Sequence, residues 1–282
     1  MIQKKQIILI VAVLAIMGAL IAQPIKGLVD KTQGEADATA ATQGADVAED
    51  LLSISEAFKS GINSDLANSI TSLEEQLEKA GNDEEKSSIL LEIAEKWGDL
   101  NKFAPQAFAY EEIAEISPTY ENWMRAGKTF QEGYQRIRDE ELSVTLQDKA
   151  IYAFGKALEE DEKSLDAQTG LGSAILNKGE APMEGVTLLL GVVKEEPKHL
   201  EANKALGLSS LTSRQYDKAV ERFLIVLEQE ESAESYFYLA TAYENIGMKN
   251  EAITAFLKSK RIASDPTLSQ FIDRRIEELN KM

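Results

Sequence analysis

Between residues 84 and 265 the apolar positions fall into paired helical stretches, and the pairs recur about every 33–35 residues. Leu239-Ala240 aligns with Leu206-Gly207, Leu171-Gly172, Ala126-Gly127 and Ile93-Ala94. Ala252 aligns with Ala219, Gly185, Ala150 and Gln106, and Phe256 with Phe223, Leu189, Phe154 and Tyr110. Each unit predicts two amphipathic helices joined by a short polar turn. Their small residues, about 13 apart, are expected to face each other across an antiparallel hairpin, where a missing side chain lets the axes approach. The aromatic that follows fills the wider gap. In the last unit, 234–256 (ESYFYLATAYENIGMKNEAITAF), Ala240 and Ala252 mark the crossing and Gly247 the turn.

This layout resembles the tetratricopeptide repeat (TPR), whose pattern runs aromatic, Leu-Gly, aromatic, Ala, aromatic, Ala and Pro. Tyr236, Leu239-Ala240, Tyr243, Ala252, Phe256 and Ser259 hold those places in the last unit. The resemblance implies an all-α superhelical solenoid of antiparallel helix pairs in five units: 84–118, 119–163, 164–197, 198–231 and 232–265. Gln106 departs from the small-residue rule, and Pro182 inserts one residue into the third unit. The second unit carries 11 extra residues between Ala126 and Ala150. Because 134–149 keeps helical patterning, about three extra turns are expected to project beyond the array. End units of a solenoid must differ from the rest. Residues 266–282 predict a capping helix, apolar on Leu268, Phe271, Ile272, Ile276 and Leu279, with Thr267 and Gln270 in capping-box spacing. Residues 47–83 predict an atypical helical cap at the other end.

The amino terminus reads differently. No charge lies between Lys5 and Lys26, and that mostly apolar 20-residue window would span about 30 Å as a helix. No two small residues stand two apart from Val11 to Gln23, as a leader cleavage site requires. Residues 1–29 are therefore expected to be a transmembrane anchor, spanning about 6–25, and the polar stretch 30–46 a flexible linker. Lys4 and Lys5 favour a cytoplasmic amino terminus at the inner membrane, with the repeats in the periplasm. Ala12, Ala15, Ala19 and Ala22 share one face, through which two such helices could pair as a homodimer.

Charge and chemistry narrow the function. The net charge is −18, so a basic amino terminus precedes a strongly acidic body, which argues against nucleic acid. There is no cysteine. His199, the only histidine, follows Glu195-Glu196-Pro197-Lys198 and is expected in a solvated loop. Gly127-Lys128-Thr129 lacks the first glycine of a phosphate loop and sits in a predicted helix. Gly170-Leu171-Gly172 reads as packing, and the acidic run 159–162 as a solvated turn. No catalytic group, metal site, cofactor or small-molecule substrate is expected.

The TPR resemblance implies instead a concave face lined by the first helices, which holds a protein or peptide partner. The second, fifth, ninth, twelfth and thirteenth places of each unit would line it. In the last unit these include Phe237, Thr241, Glu244 and Asn245, and in the fourth Lys204, Leu208 and Leu211. The third offers Ser173 and Asn177, beside Asp166 and Thr169, and the second offers Met124 and Lys128, beside Gln131 and Glu132. Lys204 and Lys128 lack the asparagines of a carboxylate clamp, so an apolar or mildly basic segment suits this face better than an acidic tail. The expected role is a membrane-anchored extracytoplasmic scaffold without catalysis. The alternatives are a self-associating structural protein, or a regulatory subunit of an envelope enzyme or of a secretion or maturation machine.

Overall fold

The structure, a computed structural model, describes residues 50–281. The expected anchor and linker lie outside those residues. Among the described residues no helix is long and apolar enough to cross a membrane.

The polypeptide is a succession of antiparallel helix pairs. α1 (Leu51–Lys59) and α2 (Ser64–Lys79) come first. Five pairs follow: α3 (Asp83–Asp99) with α4 (Phe103–Ile116), α5 (Tyr120–Arg136) with α6 (Glu140–Glu160), α7 (Leu165–Lys178) with α8 (Pro182–Glu195), α9 (Leu200–Thr212) with α10 (Tyr216–Leu227), and α11 (Ala233–Asn245) with α12 (Lys249–Ile262). α13 (Pro266–Lys281) closes the array. Contacts run from each helix to the next, and α5, α7, α9 and α11 also touch one another in turn. In these four pairs the first helix therefore lies on the inner, more crowded side of the curve and the second on the outer side.

Short polar residues start the inner helices. The side chains of Asn82, Thr119, Ser164 and Ser232 each accept a backbone N–H from the first turn of their helix. His199 holds the same place for α9, with Nδ1 accepting the Ala202 N–H at 3.3 Å. The histidine expected in a solvated loop is in fact only 8% exposed, because capping draws its ring against the helix end. With Nδ1 accepting, the proton sits on Nε2, which faces Asp166 Oδ1 at 3.3 Å.

Small residues set the distance between paired helices. A β-carbon on Gly207 would lie 2.9 Å from the Phe223 ring, and one on Gly127 the same distance from Phe154. The Phe154 ring also crowds Gly170 of the next repeat, so one aromatic fills the gap left by two glycines. In the first pair the exception explains itself, since Gln106 packs on Gly98 and the small residue has moved to the opposite helix.

The long second pair does not project freely. Tyr134 and Leu146, both in the extension, are buried, and Gly133 packs on Leu146 beside the Ala104 backbone. Arg136 lies 4.8 Å over the Phe103 ring of the preceding pair. On the other side Asn177 Nδ2 donates to the Tyr134 hydroxyl at 2.8 Å and Lys178 pairs with Asp148 at 2.5 Å. Neighbours buttress the extra turns from both directions.

The ends are closed by different means. α1 rests on α4 and is pinned to α2, where Ser55 and Lys59 both donate to the buried Glu74 carboxylate. α13 buries Ile272 and Leu279 on the last pair. Its first turn is capped by Asp265, whose Oδ1 accepts the Thr267 N–H at 2.8 Å, and not by Thr267 itself. Pro266 suits the first helical position, and the cap lies two residues upstream of the expected box.

Candidate partner-binding face

The inner helices bring part of the expected set together. A cleft of about 390 Å³ opens across α5, α7 and α9, walled by Lys128, Gln131, Glu132, Asp166, Ser173 and Glu201. Its floor is Gly170 over Phe154, backbone and ring edge in place of long side chains. Ser173 is half-buried and Lys128 exposed, and neither makes a side-chain hydrogen bond or ion pair among the described residues. The acids are each engaged: Glu132 with Arg136 at 3.0 Å, Asp166 with His199, and Glu201 with Lys204 at 3.1 Å. All three pairs are partly solvated and exchangeable for a partner's charges. The cleft walls thus hold three acids, each already paired, and one cation, Lys128, without an ion pair among the described residues.

Other expected groove residues are placed elsewhere. Met124, at the fifth place of α5, is only 5% exposed and cannot meet a partner, because here the packing buries it. Thr169, at the same place, is buried with its hydroxyl on the Leu165 carbonyl. Phe237 follows suit. Its ring is half-buried, 5.7 Å from Phe256 and 5.8 Å from Phe271 of α13. Glu244 is held by Arg275 of α13, with Nε donating at 2.9 Å, so the capping helix occupies the ground beside both residues. Leu211 packs half-buried against this last core cluster.

The remainder stay accessible but mostly engaged. Leu208 and Asn245 are exposed, and Asn245 Nδ2 donates to the Thr241 carbonyl at 2.8 Å. Thr241 is half-buried, with its hydroxyl on the Phe237 carbonyl. Asn177 is exposed and spends its amide on Tyr134. Lys204 is shared between Glu201 and Glu230, at 3.1 and 3.2 Å. Partial burial works against its charge, and the two carboxylates more than offset it, so the ammonium stays above its usual range.

Sequence reasoning did not reach the outer face. There Glu111, buried on α4, accepts Lys149 of α6 at 2.9 Å, and its pKa is raised chiefly by burial. Burial, with Glu115, Asp50 and Glu111 nearby, pushes Glu112 up to about 7. Among the described residues no group of three or more His, Asp or Glu is arranged to hold a metal ion.

No protein-family model and no curated protein matches the chain. Solved structures do. A thermophilic TPR protein of Thermus thermophilus superposes with a TM-score of 0.50 at 16% identity, over 70% of this chain and all of that one. MamA gives 0.46 at 24% identity, over 59% of this chain and 92% of its own. YrrB, a TPR protein with an unusual peptide-binding site, gives 0.45 at 19% identity, over 66% and 91%. At such identities the likeness concerns the fold alone. The described residues, thirteen helices and no strand, form a TPR-like solenoid.

Proposed function

We propose that this protein is a non-catalytic scaffold whose inner face holds an extended segment of a protein partner. The carrying observation is the cleft across α5, α7 and α9, where polar walls from three repeats converge on a glycine-and-ring floor. Its three acids sit in exchangeable pairs, so a mildly basic segment can take the place of their present partners. Residues 6–25 anchor the scaffold in the inner membrane, with the amino terminus cytoplasmic and the repeats periplasmic. The uncharged 20-residue window and the lysines before it support this reading.

Photo-crosslinking in intact membranes tests the partner. A crosslinker at Ser173, inside the cleft, should yield a discrete adduct with another protein. One at Met183, 72% exposed at the start of α8, should not. Equal labelling from both positions, or adducts of this chain alone, counts against the reading. Protease added outside spheroplasts should digest the repeats; full protection would reverse the topology.

A further inference from the structure

Leu190, Leu224 and Leu257 occupy one place in three successive outer helices, immediately after the buried Leu189, Phe223 and Phe256. They are 46%, 43% and 52% exposed. The equivalent places in the first two repeats hold Glu111 and Gly155, so the apolar stripe belongs to the carboxy-terminal part of the array. Between α10 and α12 runs a groove of about 540 Å³, floored by Tyr236, Leu239 and Tyr243 of α11 and edged by Leu224. A solvated ridge of leucines beside an apolar groove marks a surface that another folded face covers.

The charges around the groove indicate which face. Leu224 is flanked by exposed Glu221 on α10 and by exposed Glu228 just past the end of that helix; on α12, Leu257 is flanked by exposed Lys258 and Arg261. Glu228 makes one solvated bridge to Lys198, and the other three form no ion pair among the described residues. Beside these leucines the two neighbouring ridges thus carry opposite signs, while nearer the amino ends exposed Lys218 on α10 and Glu251 on α12 break the pattern. A half-turn about an axis along the groove sets each acidic ridge on the basic ridge of an identical molecule and closes both pairs at once, as an isologous contact requires.

We propose that a second copy of this chain docks on the outer face of the last two repeats, Leu224 against the second copy's Leu257 and Glu228 against its Arg261. This contact uses the face opposite the cleft and does not depend on peptide binding there.

The chain has no cysteine, so introduced thiols report cleanly. Full-length Leu224→Cys and Leu257→Cys chains, differently tagged, are co-expressed, extracted in detergent and oxidised. A mixed disulfide between one of each is expected in clear excess over dimers of either alone, since bridged Cα atoms must lie within about 7 Å. No mixed disulfide, or equal dimers from each variant alone, overturns the proposal. In unmodified chains Glu228→Arg should weaken dimerisation about tenfold, the worth of two exposed ion pairs. Adding Arg261→Glu to the same chain should restore it, which a merely misfolded variant would not do. A dimer held only through residues 6–25 ignores both changes and gives no mixed disulfide, which also overturns the proposal.

Discussion

A β-carbon on Gly185 would lie 2.6 Å from the carbonyl oxygen of Gly172, so α7 and α8 cross at backbone contact. Gly185→Ala should therefore push the helices apart and destabilise by about 1–3 kcal/mol. Ala252, fully buried at the equivalent place of α12, should respond to Ala252→Leu in the same range. Urea unfolding reads both, as a lower midpoint at constant slope. An unchanged midpoint would remove the close crossing.

Arg214 ends the turn between α9 and α10 with φ of 60°, where Gly179 and Gly247 serve the neighbouring repeats at 78° and 81°. A side chain there costs about 1–2 kcal/mol, of which the greater freedom of unfolded glycine takes back up to about 1. Arg214→Gly is expected to raise the thermal midpoint and Gly247→Ala to lower it. A destabilised Arg214→Gly would show that the arginine side chain contributes something the backbone angle does not.

Glu112 should make stability depend on pH. Its folded pKa, about 7, lies above the usual 4.5, so its favourable contribution is complete below 4.5 and lost as pH rises through 7. Glu112→Gln should thus stabilise at pH 8 by about 1–2 kcal/mol after allowance for solvent screening, with no gain near pH 4. Chemical denaturation at the two pH values decides it, and equal gains at both would exclude ionisation as the cause.

Arg275 gives the Glu244 carboxylate its partner across the last interface. Arg275→Ala should leave that half-buried charge unpaired and loosen α13 by about 1–3 kcal/mol. Hydrogen exchange over 266–281 should quicken while α7 and α8 keep their protection. Adding Glu244→Gln should recover part of the loss. Quickening spread evenly over the chain would mean that α13 is not a separate cap.

Much of this architecture was legible from spacing alone. The pairs Gly172–Gly185 and Gly207–Phe223 do what their periodicity requires. His199 was legible too, had its place been compared across repeats: Thr119, Ser164 and Ser232 stand where it stands, and a neutral imidazole can cap as they do. Met124 was not, because the fifth inner-helix place is exposed or buried according to the neighbouring repeat, and here the packing buries it. Phe237 depends in the same way on where α13 settles, which a single amphipathic pattern does not specify. The cleft itself gathers Lys128, Asp166 and Glu201 from three units, a grouping set by the curvature between repeats.

That helices touch mainly the next in line, or the next but one, has a mechanical meaning. Such an array has few cross-braces, and α1 on α4 is the longest among the described contacts. A pull on its two ends would load the hairpins in series, each interface bearing the whole tension. The molecule should yield as a chain of small springs, opening first at the softest joint, and should recoil when released.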